Sequence, residues 1–180
     1  MSEYGELIAE DTVRFVRKLP GPIDRVWSYL VEADKRKRWL CGGETELRSG
    51  GNVEMHFDNA SLSKGADDTP PEKYKDYAGP VQFSGTVMEC DAPNKLVHTW
   101  DFEGDSSEVT YELVKSGDDV ILTLTHRRLA SQKEVLGVCG GWHAHLAILE
   151  EILTDQESQG FWTRHTRLEG EYEKRLGISG

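Results

Sequence analysis

The stretch from residue 137 to residue 153 constrains the fold most, because it is a long helical pattern late in a chain that otherwise alternates like strands. Its large apolar residues recur every three or four positions and therefore share one side of a helix: Val138, Trp142, Leu146, Leu149 and Leu153. Glu150 and Glu151 fall on the opposite side. Gly140 and Gly141 lie near the predicted start, where each costs about 1 kcal/mol of helix stability relative to alanine. The two glycines therefore indicate a close approach by a strand or by a bound molecule.

Alternating apolar and polar residues predict seven short strands, separated by turn sequences rich in glycine, proline and aspartate. They cover residues 12–18, 44–48, 52–57, 81–90, 95–102, 107–115 and 120–129. The regular spacing of the turns favours an antiparallel sheet, with residues 49–51 as a hairpin connection between the second and third strands. The sequence thus predicts an α+β fold in which a sheet wraps around one late helix.

Three further helical segments and one long loop complete the prediction. Two short early helices are expected, at residues 23–31 and around the charged run 34–38, which we interpret as a solvated turn. A C-terminal helix is expected within residues 158–177, from the spacing of Phe161, His165, Leu168, Tyr172 and Leu176. The apolar residues of the segment 58–80 show no helical or strand periodicity. We therefore predict that this segment forms a mobile rim or lid, with a short helical turn around residues 72–77.

The composition excludes several classes of partner. The chain has 180 residues, a length that fits one domain, with 21 basic and 32 acidic residues and a formal net charge of −11. This acidity argues against nucleic acid and against anionic membranes. No apolar run is long enough for a membrane span, and the N-terminus lacks the pattern of a signal peptide. The three cysteines have no metal-ligand spacing, so we expect a cytoplasmic protein without a metal or other cofactor.

Six motifs in order resemble those of a known superfamily. They are residues 22–27, the glycine-pair hairpin at 47–53, the strand pair from 84–87 through 95–100, residues 107–113, residues 122–126, and Gly140-Gly141-Trp142 with Leu146 and Leu149. Together they resemble the START-like (SRPBCC) superfamily, in the branch similar to the activator of the ninety-kilodalton heat-shock protein ATPase. The resemblance covers roughly residues 10–155. Residues 1–180 are accordingly predicted to form a single START-like domain with a C-terminal extension.

The resemblance implies the helix-grip fold, in which a curved antiparallel sheet grips the long helix and leaves a cavity between them. Members of the superfamily bind hydrophobic or aromatic small molecules, and a few are cyclases or aromatases. The eukaryotic activator instead contacts a chaperone. The expected partner of this chain is therefore a hydrophobic or aromatic small molecule, with a chaperone as an alternative, and the expected state is a monomer or a homodimer.

Side chains alternate between the two faces of a strand, and they point in directions about 100° apart from one residue to the next around a helix. These two rules, strand parity and helix angle, together select candidate ligand-binding residues on the faces that turn inward. The candidates are His98, Trp100, Tyr111, Leu122, Leu124, His126, Trp142, His145 and Leu149. By the same rules His56 and His143 fall on outward faces. Two interpretations stay open for these histidines and tryptophans. They line a largely apolar pocket with a few polar groups, as small-molecule sites do, or they are core residues whose polar atoms bond within the protein.

Three functional hypotheses remain at this stage. The first is a non-enzymatic binding domain whose cavity takes a hydrophobic or aromatic small molecule. The second is a cyclase or isomerase that uses His98, His126 or His145 of the same cavity as acid or base. The third is an interaction module for a chaperone. The sequence contains neither a nucleophile elbow nor a phosphate-binding loop, and no catalytic residue is assigned.

Overall fold

A seven-stranded antiparallel sheet forms the framework of the protein. The structure is a computed structural model that describes residues 2–63, 65 and 67–178. Its strands are β1 (Glu6–Ala9), β2 (Thr12–Pro20), β3 (Asn52–Phe57), β4 (Val81–Asp91), β5 (Lys95–Phe102), β6 (Asp105–Ser116) and β7 (Asp119–Arg127). Their order across the sheet is β1-β2-β7-β6-β5-β4-β3. The α+β helix-grip prediction is confirmed.

The number of strands agrees with the prediction, but one observed strand was not predicted and one predicted strand does not form. β1 was not predicted, and its four residues are exposed at the edge of the sheet. The predicted strand at 44–48 makes only an isolated bridge from Thr45 to Val53. Its chain is held instead by Arg36, which donates to the carbonyls of Cys41, Gly42, Gly43 and Glu54 and to the hydroxyl of Thr45. A side chain thus replaces part of a strand ladder there. The interpretation of residues 34–38 as a solvated turn is wrong for Arg36, which is buried.

The concave face of the sheet carries the core, as strand parity predicts. Register places His98 opposite Val109 and Val109 opposite His126, so these three residues form one row across β5, β6 and β7. In the neighbouring row Leu96 pairs with Tyr111, which pairs with Leu124. The side chains of both rows are buried. Alternation places them inward because one face of the sheet packs against a helix while the other faces water.

Four helices accompany the sheet: α1 (Ile23–Val31), α2 (Ala33–Arg36), α3 (Gln132–Leu153) and α4 (Trp162–Leu176). The long helix α3 begins five residues before the predicted start, because Ser131 caps it and accepts a hydrogen bond from the backbone N–H of Glu134. Gly140 and Gly141 therefore lie inside the helix. The close approach at Gly140 comes from α4, since a Cβ there would lie 3.4 Å from His165 Nε2. A Cβ at Gly141 would meet nothing within 4 Å.

Helix α3 is enclosed between the sheet and α4, and this layer corrects two predicted orientations. His143, expected on an outward face, is buried, and its Nδ1 lies 3.0 Å from the hydroxyl of Tyr172. Glu151, expected opposite the apolar stripe, is buried and paired with Arg164. Both predictions considered the pattern of α3 alone, in which the side opposite the apolar stripe faces solvent, whereas α4 packs on that side.

Among its described residues, the segment between β3 and β4 contains two short 3-10 helices, Asn59–Leu62 and Glu72–Tyr77, the second at the predicted place. Asp68 of this segment is buried and accepts hydrogen bonds from the backbone N–H groups of Phe161 and Thr163. It therefore caps the start of α4 from a distant part of the chain. Within the described ranges, every helix is too short or too polar to cross a membrane.

Candidate functional site

A pocket of about 710 Å³ lies where the end of the sheet, α3, α4 and the 3-10 helix Glu72–Tyr77 meet. Its size is within the range of small-molecule sites. It is partly open to solvent and has three walls, each from a different part of the chain.

The sheet contributes an aromatic wall. Phe57 and Phe83, on neighbouring strands, stack with ring centroids 5.6 Å apart and an interplanar angle of 4°. Trp100 packs against both, at 5.5 Å from Phe57 and 5.3 Å from Phe83, and Phe102 lies 5.0 Å from Phe83. All four line the pocket. The alternation of β3, β4 and β5 brings these rings to one face, where flat π surfaces suit a flat apolar ligand.

Helix α3 forms the second wall, and its glycines shape it. Gly137, Gly141, Trp142 and His145 line the pocket. Among the described residues, nothing lies within 4 Å of the position that a Cβ of Gly141 would take, and the Tyr74 hydroxyl lies 4.0 Å from that of Gly137. The two glycines therefore leave room beside the helix that a larger side chain would fill. Trp142 closes this wall and lies 5.5 Å from Trp100 of the sheet, centroid to centroid.

Helix α4 and the 3-10 helix Glu72–Tyr77 form the third wall, which is the most polar. Phe161, Trp162, His165 and Glu169 line the pocket from α4. The Glu169 carboxylate is buried, and it accepts a hydrogen bond from the Tyr74 hydroxyl at 2.6 Å and pairs with Lys73. Burial raises the pKa of Glu169, but the hydrogen bonds from Lys73 and Tyr74 outweigh that effect and hold the pKa below its ordinary value. Glu169 is therefore ionised at neutral pH.

Two polar atoms of this third wall lack a hydrogen-bond partner in the described part of the chain: Trp162 Nε1 and His165 Nδ1. Both side chains are almost fully buried, with 2% and 5% of their surface exposed. The Glu169 carboxylate oxygen nearest to His165 Nδ1 is 3.9 Å away, which is too far for a hydrogen bond. Burying such a group without a partner costs about 1–3 kcal/mol.

His126 occupies the junction between the pocket and the core. Its Nε2 lies 2.7 Å from the Ser107 hydroxyl, and its Nδ1 accepts the indole N–H of Trp142 at 3.0 Å. Because Nδ1 is an acceptor, the proton of the neutral ring is on Nε2 and points to Ser107. Burial lowers the pKa of His126 to about 3, and the nearby His98 adds to the effect. Both ring nitrogens are thus engaged in holding Trp142 and the sheet together.

His145 and His98 each use one ring nitrogen on the backbone. His145 Nδ1 lies 2.7 Å from the carbonyl of Trp39, and His98 Nδ1 lies 2.8 Å from that of Thr99. Each Nδ1 therefore donates. Burial lowers the pKa of both rings to about 4, so both are neutral at pH 7.

Four of the nine residues predicted for ligand binding line this pocket: Trp100, His126, Trp142 and His145. The other five lie in the buried core behind it: His98, Tyr111, Leu122, Leu124 and Leu149. Ligand contact remains a prediction for all nine. Among the described residues, no group of three or more His, Cys, Asp or Glu is arranged to hold a metal ion.

Sequence reasoning missed most of the first and third walls. Phe57 lies on the same face of its strand as the buried Val53 and Met55, but it is not among the nine residues predicted for ligand binding. Phe161 and His165 were recognised only as part of a helical stripe. Lys73, Tyr74 and Glu169 carried no pattern that could have linked them, because they come together only through the packing of residues 72–77 on α4.

Comparison with known proteins gives the family. The family model of activator of Hsp90 ATPase homolog 1-like proteins matches residues 20–154. The chain belongs to this family. The match includes the first two walls of the pocket, whereas Phe161, Trp162, His165 and Glu169 follow the matched segment. No protein of curated function matches the chain.

Solved structures extend the comparison. The protein encoded by gene BPP1335 of Bordetella parapertussis is 43% identical, with 96% of this chain and 90% of that one covered and a TM-score of 0.80. CalU16 from Micromonospora echinospora shares the fold at 24% identity, a TM-score of 0.68 and coverage of 93% and 89%. DynU16, described as a putative protein in the dynemicin biosynthetic locus, shares it at 18% identity and a TM-score of 0.63. That alignment covers 86% of this chain and 51% of DynU16.

Proposed function

We propose that this member of the family is a non-enzymatic binding protein whose pocket holds a hydrophobic or aromatic small molecule. The observation that carries the proposal is the pocket of about 710 Å³ with stacked aromatic rings on one wall and two helical glycines on another. Aromatic walls supply large contact areas with defined geometry, and the glycines leave free volume beside them. A location in the cytoplasm and a monomeric or homodimeric state remain predictions.

The hydrogen bonds of the histidines favour binding over catalysis. Both nitrogens of His126 are bonded within the protein, and low pKa values make His98, His126 and His145 weak bases. General acid–base catalysis works best with a group whose pKa is near the working pH. A cyclase-like or isomerase-like activity is the second candidate. It is supported by His145, which lines the pocket and bonds to the backbone through Nδ1 alone.

A chaperone-contacting role is the third hypothesis, and it is supported by the family to which the chain belongs. The large apolar side chains most exposed to solvent come from several separate segments: Leu7, Ile8, Leu47, Tyr77, Met88 and Val114. The pocket offers a more specific feature than these side chains do, and the small-molecule proposal is therefore preferred.

Native mass spectrometry of freshly purified protein tests the proposal directly. We expect a population whose mass exceeds that of the chain by a small organic molecule, which dissociates on collisional activation. Purification from a second expression host controls for a contaminant of one host. If no adduct is present and no neutral hydrophobic dye binds the unliganded protein, the proposal is wrong.

A pair of glycine variants tests whether binding occurs in this pocket. Gly141→Leu places a side chain in the free space beside α3, so the affinity for the neutral dye Nile red should fall at least about tenfold, because the ligand volume is taken up. Gly170→Leu is the matched control. It is also a half-buried helical glycine with nothing within 4 Å of its Cβ position, but it does not line the pocket.

Both replacements should stabilise the fold by up to about 1 kcal/mol, since leucine favours the helix more than glycine does. Loss of dye binding in Gly141→Leu therefore cannot be attributed to unfolding if its denaturation midpoint is maintained or raised. Equal dye affinity in the two variants would place the binding elsewhere.

A further inference from the structure

The third wall of the pocket contains unused hydrogen-bonding capacity. We propose that the indole N–H of Trp162, together with His165 and Glu169, binds a hydroxyl group of the ligand, so that the preferred ligand is an uncharged, hydroxylated aromatic compound. The inference rests on the proposed function, because it concerns the same pocket. It goes further in naming the polar subsite and the chemical class that the subsite selects.

Trp162 supplies the first argument. Its Nε1 can only donate a hydrogen bond, and it is buried without an acceptor among the described residues. Buried indole N–H groups normally have a partner. The side chain lines the pocket and stacks on Tyr74, with ring centroids 6.1 Å apart. A ligand oxygen is the kind of acceptor that would complete this site.

His165 and Glu169 supply the second argument. His165 Nδ1 also lacks a partner within the described ranges, and 3.9 Å separate it from Glu169 Oε2. That separation exceeds a hydrogen bond, but an oxygen atom admitted by movement of the side chains that now bury Nδ1 could lie about 2.8 Å from both atoms. A hydroxyl suits such a position because it can donate to the carboxylate and accept from an N–H group. A carbonyl or ether oxygen could not donate to Glu169.

The charged groups around the pocket disfavour aromatic ligands that carry an acidic group. Four carboxyl groups line the pocket, from Glu103, Asp105, Glu134 and Glu169, against two lysines, Lys73 and Lys133. The protein as a whole carries a formal charge of −11. A carboxylated or phosphorylated aromatic compound would therefore be repelled on approach, and it could not donate a hydrogen bond to Glu169. The subsite favours a phenol-type hydroxyl over an anion.

Three probes of the same ring system test the inference: 2-naphthol, naphthalene and 2-naphthoate, with dissociation constants measured by NMR titration at pH 7. We expect 2-naphthol to bind about tenfold more tightly than naphthalene, the scale of one net hydrogen bond. 2-Naphthoate should bind more weakly than 2-naphthol. Binding of naphthalene and 2-naphthol with equal affinity would overturn the subsite but leave the proposed function intact. Failure of every probe and of Nile red would overturn both.

Trp162→Phe removes the N–H group and retains an aromatic ring. It should weaken the preference for 2-naphthol, since His165 and Glu169 remain, while leaving naphthalene affinity within about twofold, so naphthalene binding also reports that the variant is folded. Trp100→Phe is the matched control, because it makes the same change on the aromatic wall of the same pocket. It should alter the affinities for both probes alike. A preference lost in Trp100→Phe and kept in Trp162→Phe would assign the hydroxyl to the other wall and contradict the inference.

Discussion

At the scale of single residues, Trp142 has two roles that the sequence could not separate. It is buried in the core, and it also forms part of the pocket wall. Its indole N–H bonds His126, and His126 in turn contacts Ser107 of β6. Trp142 therefore links α3 to two strands through one short chain of hydrogen bonds.

Trp142→Ala should lower the free energy of unfolding by about 3–5 kcal/mol, as large-to-small replacements of buried aromatic residues do. Trp142→Phe keeps most of the ring volume but leaves His126 Nδ1 without a donor, so we expect a smaller loss of about 1–3 kcal/mol. Urea denaturation measures both. A loss under about 1 kcal/mol in Trp142→Ala would contradict the assignment of Trp142 to the core.

At the scale of elements, the segment between β3 and β4 and the helix α4 depend on each other. Asp68 caps the start of α4, while Lys73 and Tyr74 bind Glu169 two turns further along that helix. The segment thus holds the third wall of the pocket in place.

Asp68→Ala should cost at least about 1 kcal/mol of stability, because two backbone N–H groups at the start of α4 lose their acceptor. Amides of the first turn of α4 and of residues 67–78 should then exchange with deuterium faster than in the parent protein. Asp67→Ala is the control, since Asp67 is exposed and surface changes usually stay within about 0.5 kcal/mol. Unchanged exchange in α4 would show that Asp68 does not hold the helix.

The lid interpretation of residues 58–80 remains a prediction. Without ligand, the amides of this segment should exchange faster than those of β3 and β4, because most of them lie outside a sheet ladder. Binding of an aromatic probe should slow their exchange if the segment closes over the pocket. Uniformly slow exchange across residues 60–78 in the unliganded protein would contradict the lid.

At the scale of the whole molecule, buried neutral histidines link stability to pH. Burial lowers the pKa of His126 to about 3 and the pKa values of four other histidines to about 4, from an ordinary value of 6.5: His98, His143, His145 and His165. The unfolded chain takes up these protons below about pH 6.5 and the folded protein does not. The contribution of these groups to the free energy of unfolding is therefore fully present above pH 6.5 and is lost as the pH falls toward 4.

Each of these histidines should contribute a slope of about 1.4 kcal/mol per pH unit within that window, so the five together give roughly 7. A protein of ordinary stability would consequently unfold near pH 5. Urea denaturation at several pH values between 7.5 and 5 measures the slope. His126→Gln should reduce it by about 1.4 kcal/mol per unit, whatever its effect on stability at neutral pH. A stability that stays constant from pH 7 to pH 5 would refute the assignment.

Local patterns in the sequence determined most of the sheet and the position of α3. Alternation identified six of the seven strands, and parity assigned the inward faces of β5, β6 and β7 correctly. The reason is physical. A strand buried on one face has apolar residues at every second position, and a helix buried along one stripe has them at every third or fourth position. The same patterns selected Trp100, His126, Trp142 and His145, which the structure brings to one pocket.

Tertiary structure alone decided what covers the far side of α3 and what completes the pocket. Asp68 and Phe161 are 93 positions apart, and Lys73 and Glu169 are 96 apart, so no local period records that they meet. For the same reason His143 and Glu151 looked exposed when only their own helix was considered. A side chain's burial depends on every element that packs against it, and α4 supplies the layer that turns an outward face into an interior one.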